Sequence, residues 1–324
     1  MIWSTLHRKT LGGDARSEVQ RSGGSVSGRY RRHNRGGWRM RFLRPLFYAA
    51  LGVVAIIPVA LVGLVHALTI PAPSVVTAPA DLPVTPFTLQ QSGGVRIRSW
   101  FVVGTSERGG VLLLHGVRAN RLAMIARMRF LNAAGYSVAA IDFRAHGESS
   151  GDRITFGRDE SQDAAAALAY MREKLPGRKI AVIGQSLGGA AALLGQGPIA
   201  ADAFVLESVY PDIDRAIDDR MTAPFGPLGH LVTPALLLVG RAMTGLDPAF
   251  LRPIDRIETI QAPVFVISGV RDPNTHIDEA RELFARAPEP KAFWAVEGVG
   301  HEDIYFRTNA EYREKILWFL DRHL

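Results

Sequence analysis

The pattern of apolar and polar positions divides the sequence into two unlike parts. From Gly94 to the C-terminus, short apolar runs alternate with longer segments in which apolar residues recur at helical spacing. Because buried parallel strands form continuous Val, Ile and Leu runs, this alternation predicts an α/β fold with a mostly parallel central sheet flanked by helices. The predicted strands cover 95–103, 111–114, 137–141, 179–183, 203–206, 264–268 and 292–296, and the predicted helices cover 121–134, 159–174, 187–195, 277–287 and 310–320.

A long insertion interrupts this alternation between the strands at 203–206 and 264–268. It holds about 55 residues, which is too many for an ordinary crossover loop. Two stretches in it, 213–221 and 231–243, have helical periodicity. The sequence therefore predicts a small helical cap, over about residues 208–258, that covers the active edge of the sheet.

The N-terminal part is dominated by one apolar run. No Asp, Glu, Lys or Arg occurs between residues 45 and 80, and residues 46–65 are almost entirely apolar. About 20 such residues in a helix span a bilayer core of about 30 Å. Segment 45–70 is therefore predicted to be a transmembrane signal-anchor. A proline-rich, extended linker is predicted over 71–92, followed by the globular domain over 93–324.

Charge predicts how this helix is oriented. Residues 1–44 contain eleven Lys or Arg against two acidic residues, so this tail accounts for the whole net charge of +7. Its basic, Gly- and Ser-rich composition predicts disorder. Under the positive-inside rule the N-terminus is cytoplasmic and the domain extracytoplasmic. Since orientation explains the basic tail, no nucleic-acid partner is expected.

A cleaved signal peptide is the alternative to an anchor. It would start at Met1 or Met40 and end at the weak small-x-small site at residues 65–67, which would release a secreted domain. The hydrophobic core of a signal peptide is usually about 7–15 residues long, and this run is longer. The length therefore favours the anchor.

A candidate nucleophile lies where a predicted strand meets a predicted helix. The sequence Gly184-Gln185-Ser186-Leu187-Gly188 follows an apolar run and leads into an Ala-rich stretch. A G-x-S-x-G elbow places its serine on a sharp, strained turn, which requires small residues two positions to either side. Glycine stands at both positions, so the sequence predicts Ser186 as a nucleophile.

Two later loops supply a base and an acid. His301 follows the last predicted strand, and Asp272 follows the strand before it. A serine hydroxyl needs a base to remove its proton, and the base needs an acid to orient it. The chain order Ser186, Asp272, His301 is the order that accompanies this elbow motif. Glu207 is the alternative acid, and Asp142 is a weaker one because it precedes the nucleophile.

These residues and their neighbours carry a family resemblance. The segments 112–116, 142–149, 184–188, 268–272 and 298–301 together resemble the α/β-hydrolase superfamily, and the resemblance covers about residues 94–324. Within it, the chain is most similar to the dienelactone-hydrolase-like and α/β-hydrolase-domain groups. The resemblance implies an α/β-hydrolase fold and an oxyanion hole built from the backbone amides of Leu187 and Val117. It also implies that His115 and His146 support loops near the site.

The function predicted from these observations is a membrane-anchored serine hydrolase. It would cleave carboxylic esters or thioesters of a small or lipid-like acyl substrate through an acyl-enzyme, with no cofactor and no metal. One alternative is an aminopeptidase of the proline-iminopeptidase type, which would hold the substrate amine with acidic cap residues. The candidates for that role are Asp212, Asp214, Asp218 and Asp219. The other alternative is a non-catalytic binding module, and the complete set of three candidate triad residues argues against it.

Overall fold

A computed structural model describes residues 37–105 and 107–324 of the protein. Residues 1–36 of the tail that is predicted to be disordered therefore lie outside the described residues. The chain divides within its first helix into a unit that ends at Val53 and a unit that begins at Val54. The helices are α1 (Gly37–Thr69), α2 (Ile125–Ala133), α3 (Glu160–Lys174), α4 (Leu187–Leu193), α5 (Ile213–Phe225), α6 (Gly229–Thr244), α7 (Ile254–Ile257), α8 (Ile277–Arg286) and α9 (Ile304–His323).

The strands of the second unit form a mostly parallel sheet. They are β1 (Ala72–Pro73), β2 (Thr85–Gln90), β3 (Arg96–Val102), β4 (Gly110–Leu114), β5 (Ser137–Ile141), β6 (His146–Gly147), β7 (Ile180–Gln185), β8 (Ala203–Glu207), β9 (Val264–Gly269) and β10 (Lys291–Val296). The main sheet has the order β10-β9-β8-β7-β4-β5-β3-β2. Strands β10 to β5 of that order are parallel, and β3 and β2 are antiparallel at one edge. The loops that follow β7, β9 and β10 therefore meet at one edge of the sheet.

Each face of the sheet buries its own apolar layer. Successive side chains of a strand point to opposite faces. In β4, Leu112 and Leu114 pack with α3, α4 and α8, whereas Val111 and Leu113 pack with α2 and α9. Burial on both faces explains why the strands are continuous apolar runs in the sequence. It also gives the loops at the carboxyl edge a rigid base.

The segment predicted as an extended linker, 71–92, packs along the domain instead. Strand β1 pairs in parallel with β6, and β2 pairs with β3 as the edge of the main sheet. Val76 and Leu82 are buried, and Asp81 forms an ion pair with Arg129 at 2.7 Å. This pairing corrects the prediction of an extended linker. The prolines do not prevent the pairing, because proline is compatible with an edge strand, where one side of the backbone has no partner.

The cap lies between β8 and α7, within the predicted range. Helices α5 and α6 form a hairpin, joined by the Thr233 hydroxyl, which donates to Asp218 at 2.9 Å. The C-terminal part of α1 packs on this hairpin. There Val65 is buried together with Met221 of α5 and Leu236 of α6.

Within residues 37–105 and 107–324, two helical stretches are long and apolar enough to cross a membrane, by length and composition only. Phe47–Thr69 has a mean hydropathy of 2.5, and Ile213–Thr244, which is the cap hairpin, has a mean hydropathy of 1.3. In the first stretch, Val54 is 66% exposed and Val59 is 72% exposed.

Candidate active site

The turn at Ser186 is sharp and strained. Ser186 joins β7 to α4 with a φ of 49°, in the left-handed region that favours glycine. Its amide donates to the carbonyl of Glu207 at 2.8 Å, which fixes the turn against β8. Strain of this kind persists only where the surrounding structure holds it in place. The backbone at Ser186 is thus the one that the elbow motif predicts.

Lack of space explains the glycines around Ser186. A Cβ on Gly184 would lie 2.5 Å from the amide nitrogen of Gly189. A Cβ on Gly188 would lie 2.2 Å from the carbonyl oxygen of Leu114. Both distances are far below van der Waals contact, so any side chain at these positions would push α4 away from the sheet. The motif is therefore a packing requirement of the strand-to-helix turn.

The predicted base and acid are hydrogen-bonded to each other. Nδ1 of His301 lies 2.8 Å from Oδ2 of Asp272, whose side chain is fully buried. The other carboxylate oxygen of Asp272 accepts from the amides of Asn274 at 2.8 Å and Thr275 at 3.0 Å. The acid is therefore held by its own loop, and it orients the imidazole ring.

The structure does not join this pair to the serine by a hydrogen bond. Among the described residues, the Ser186 hydroxyl has no hydrogen-bond partner. Catalytic hydrogen bonds in free enzymes are often long and tighten only when substrate binds. All three predicted residues lie in loops at the carboxyl edge of the sheet, after β7, β9 and β10.

Two backbone amides beside Ser186 donate no hydrogen bond to any described residue. Leu187 is the first residue of α4, so its amide has no acceptor within the helix. Val117 follows β4. In the described part of the chain, neither amide donates a hydrogen bond, and both residues line the same cleft as Ser186. Unpaired donors on a cleft next to a nucleophile are what an oxyanion hole requires.

The cleft over Ser186 encloses about 700 Å³, its open mouth included. Its lining is mainly apolar, but Arg118 and Arg220 also lie on it. Arg118 donates to the carbonyl of Ala67 at 3.1 Å, and Arg220 donates to the carbonyl of Ala216 at 2.7 Å. Sequence reasoning missed both arginines because no motif marks a cap or turn residue that faces the site.

The alternative acid, Glu207, is engaged elsewhere. It is buried at the end of β8 and accepts from Arg127 at 2.6 Å and from the hydroxyl of Tyr312. Arg127 also binds Asp303 at 2.7 Å, and Asp303 caps the start of α9 through the amide of Tyr305. This buried cluster ties α2 to the loop that carries the predicted base. The sequence contains no local signal for it, because its members lie far apart in the chain.

The other candidate side chains belong to the framework of the site. Nδ1 of His115 donates to the carbonyl of Gly116 at 2.7 Å, and Nε2 accepts from the amide of Phe143 at 3.0 Å. Burial lowers the pKa of His115 to about 3, which keeps the ring neutral. His146 lies against His115, with ring centroids 5.2 Å apart. Asp142 accepts from the backbone amide of Arg121 at 2.7 Å and pairs with its guanidinium.

No group of three or more His, Asp or Glu side chains in the described ranges is arranged to hold a metal ion. The chemistry that the described site offers is that of its own side chains and backbone amides: a strained serine, a paired histidine and two free N–H donors.

Comparison with known proteins places the fold in a family. The sequence matches the Alpha/beta hydrolase family over residues 111–315. The uncharacterized protein Rv2307c of Mycobacterium tuberculosis (strain ATCC 25618 / H37Rv) is 31% identical over 225 residues, which are 66% of this chain and 71% of that protein.

Two solved structures resemble the fold. The esterase Pf2001 of Pyrococcus furiosus superposes with a TM-score of 0.64 at 23% identity, covering 78% of this chain and 99% of the esterase. A bacterial membrane phospholipase A superposes with a TM-score of 0.53 at 17% identity, covering 88% of this chain and 98% of the phospholipase. At these identities the likeness is one of fold. The family match covers well over half of the sequence and includes the elbow, and the sheet has the parallel order that the elbow requires. The chain therefore belongs to the α/β-hydrolase family.

Proposed function

We propose that the protein is a serine hydrolase that cleaves carboxylic esters or thioesters. The observation that carries the proposal is the Asp272–His301 pair at the same sheet edge as the strained Ser186. The mainly apolar cleft suits an acyl group. The names of the two solved neighbours, an esterase and a phospholipase, describe ester cleavage by those proteins and agree with this proposal.

In the first half-reaction, Oγ of Ser186 attacks the acyl carbonyl while Nε2 of His301 takes the hydroxyl proton. The carbonyl oxygen becomes negative and accepts hydrogen bonds from the amides of Leu187 and Val117. Asp272 stabilises the imidazolium that forms. The tetrahedral intermediate then collapses, and the alcohol or thiol leaves with the proton from His301, so that an acyl-enzyme remains.

In the second half-reaction, water attacks the acyl carbonyl of the acyl-enzyme. Nε2 of His301 takes a proton from the water, and the same two amides hold the oxyanion again. Collapse returns the proton to Oγ of Ser186 and releases the carboxylic acid. The enzyme ends the cycle in its starting protonation state.

A fluorophosphonate probe tests the nucleophile. The wild-type protein should be labelled, and Ser186→Ala should not be labelled. Ser208→Ala is the matched control, because Ser208 also lies after a parallel strand and has a φ of 47°. Equal labelling of wild type and Ser186→Ala would remove the basis of the proposal, and it would favour a non-catalytic domain.

No observation favours the aminopeptidase. Two of the cap carboxylates that it would need are engaged within the protein: Asp212 caps α5 and pairs with Arg215, and Asp218 pairs with His230. None of the four cap aspartates lines the cleft over Ser186. Hydrolysis of nitrophenyl esters should therefore exceed hydrolysis of aminoacyl-nitroanilides. Faster anilide cleavage would reverse this order.

We also propose that the apolar helix of segment 45–70 anchors the protein as a single span, with its last residues packed on the cap and the catalytic domain extracytoplasmic. The apolar helix Phe47–Thr69 and the basic residues before it support the proposal. A C-terminal fusion to a reporter that is active only outside the cytoplasm should be active in the membrane fraction. Activity confined to a cytoplasmic reporter would contradict the orientation, and activity only in the medium would favour cleavage of the helix.

A further inference from the structure

A second apolar cavity adjoins the cleft over Ser186. It lies between the end of α1 and the cap helix α6, and it encloses about 450 Å³, its opening included. The cavity and the cleft share four lining residues: Leu68, Phe156, Ile213 and Ile217. The two spaces are therefore adjacent, and these four apolar residues line both of them.

The polar residues on this cavity are already satisfied. The hydroxyl of Thr69 donates to the carbonyl of Val65 at 2.8 Å, and the hydroxyl of Thr244 donates to the carbonyl of Gly240 at 2.6 Å. Arg241 pairs with Asp247 at 3.1 Å. An occupant of the cavity would therefore meet apolar surface, because the polar groups of these three residues are already paired. Such a surface suits a hydrocarbon chain.

The end of α1 is a fixed wall of this space. Leu61, Leu64, Val65 and Leu68 follow the spacing of one helix face and pack with the cap. Their partners on α6 include Val232 and Leu236. Because Val65 is buried and the other three residues are half-buried in apolar contacts, this end of α1 packs as part of the folded domain.

Gly240 keeps the space between the two helices open. A Cβ there would meet only Cγ2 of Val65, at 3.9 Å, which is ordinary contact. Glycine inside a helix costs about 1 kcal/mol relative to alanine. Neither crowding nor a left-handed backbone requires a glycine at this position of α6. The absence of a side chain at Gly240 leaves room beside Val65.

We infer that the acyl chain of the substrate runs from Ser186 past Leu68 and Phe156 into the cavity between α1 and α6. The protein then acts on esters of long, unbranched acyl chains, and the end of its N-terminal helix is part of the substrate site. This inference rests on the proposed ester hydrolysis and names its substrate class.

The test compares two chain lengths in the full-length protein in detergent micelles. Wild type should cleave both nitrophenyl acetate and nitrophenyl dodecanoate efficiently. Gly240→Phe fills the cavity and should lower the dodecanoate-to-acetate ratio of kcat/KM by about tenfold or more. Leu237→Trp narrows the same cavity and should shift the ratio in the same direction. Leu238→Phe is the control, because Leu238 is the next residue of α6 and is 70% exposed.

A binding measurement covers the case in which catalysis is lost. In the inactive Ser186→Ala background, a fluorescent long-chain fatty acid should bind, and Gly240→Phe should weaken its Kd by about tenfold. If wild type cleaves acetate through Ser186 but both cavity variants keep the wild-type ratio, the inference is wrong and the proposed function stands. If no ester is cleaved through Ser186, the proposed function fails. The fatty-acid titration then still decides whether the cavity binds an acyl chain.

Discussion

At the scale of single residues, the partners of each carboxylate decide which of them is available for chemistry. Asp272 uses one oxygen for loop amides and the other for His301. Glu207 divides its oxygens between Arg127 and Tyr312. Both groups are buried at the carboxyl edge of the parallel sheet. Chain order and loop position favoured Asp272 and left Glu207 as the alternative acid. Their neighbours in space separate the two carboxylates further.

Replacing Asp272 by Asn tests this distinction. The variant keeps the shape of the side chain but no longer stabilises the imidazolium, so kcat should fall by about 10³–10⁴ while the protein stays folded. The measurement is ester hydrolysis together with thermal unfolding. Glu207→Gln is the comparison, and it should act on stability through Arg127. If Glu207→Gln is folded but inactive while Asp272→Asn stays active, Glu207 rather than Asp272 is the acid.

Glu279 provides a prediction about pH. Burial, reinforced by the nearby Asp219, raises the pKa of Glu279 to about 8. The folded protein therefore keeps a proton that the unfolded chain releases above its ordinary value of about 4.5. This contribution to stability is complete at low pH and is lost as pH rises toward about 8. Glu279→Gln removes the titration.

The free energy of unfolding of wild type, measured by urea denaturation, should consequently fall relative to Glu279→Gln as pH rises from about 5 to about 8. Glu302→Gln is a suitable control, since Glu302 is exposed. Stability curves of wild type and Glu279→Gln that run parallel over this range would show that Glu279 titrates normally in the folded protein.

At the scale of elements, helix α2 joins the strand next to Ser186 to the helix that follows His301. Arg127 on this helix reaches Glu207 at the end of β8 and Asp303 at the start of α9. Arg129, two residues later, pairs with Asp81 at the surface. The two arginines belong to the same helix and differ mainly in burial, so they form a matched pair.

Arg127→Met should destabilise the protein by about 3–5 kcal/mol, because it leaves the buried Glu207 without its counterion. Arg129→Met should leave the unfolding midpoint unchanged within error, since an exposed pair contributes little. Denaturant unfolding of both variants gives the comparison. Equal effects of the two substitutions would mean that the buried cluster does not hold α2, β8 and α9 together.

The elements themselves were largely predictable, and their long-range contacts were not. The strand at 137–141 and the helix start at Leu187 agree with the structure, because buried runs and the elbow are local signals. The Arg127 cluster and the docking of β1 on β6 depend on residues far apart in sequence. A single sequence carries no pattern that pairs them. The roles of Asp272 and His301 remain predictions from chain order, supported by their contact.

At the scale of the whole molecule, the N-terminal helix and the cap form one apolar interface. Val65 of α1 is buried with Met221 and Leu236. Removing residues 1–70 should therefore expose apolar cap surface, lower the Tm and increase binding of an apolar dye. Substitution of Val59, which is 72% exposed, by Ala is the control for a change in α1 outside the interface. A truncated domain with unchanged Tm and dye binding would show that α1 is dispensable to the fold.

The junction between α1 and the domain has little slack. Directly after the helix, the amide of Ala72 donates to the carbonyl of Ala145 at 2.7 Å, and the amide of Ser74 donates to the carbonyl of Gly147 at 2.9 Å. A long flexible linker would let a catalytic domain take many positions and orientations around its anchor point. If segment 45–70 anchors the protein as proposed, a domain joined to its anchor by so short a junction moves with that anchor in the plane of the membrane. Encounters with substrate then occur in two dimensions, so their frequency depends on surface density and lateral diffusion.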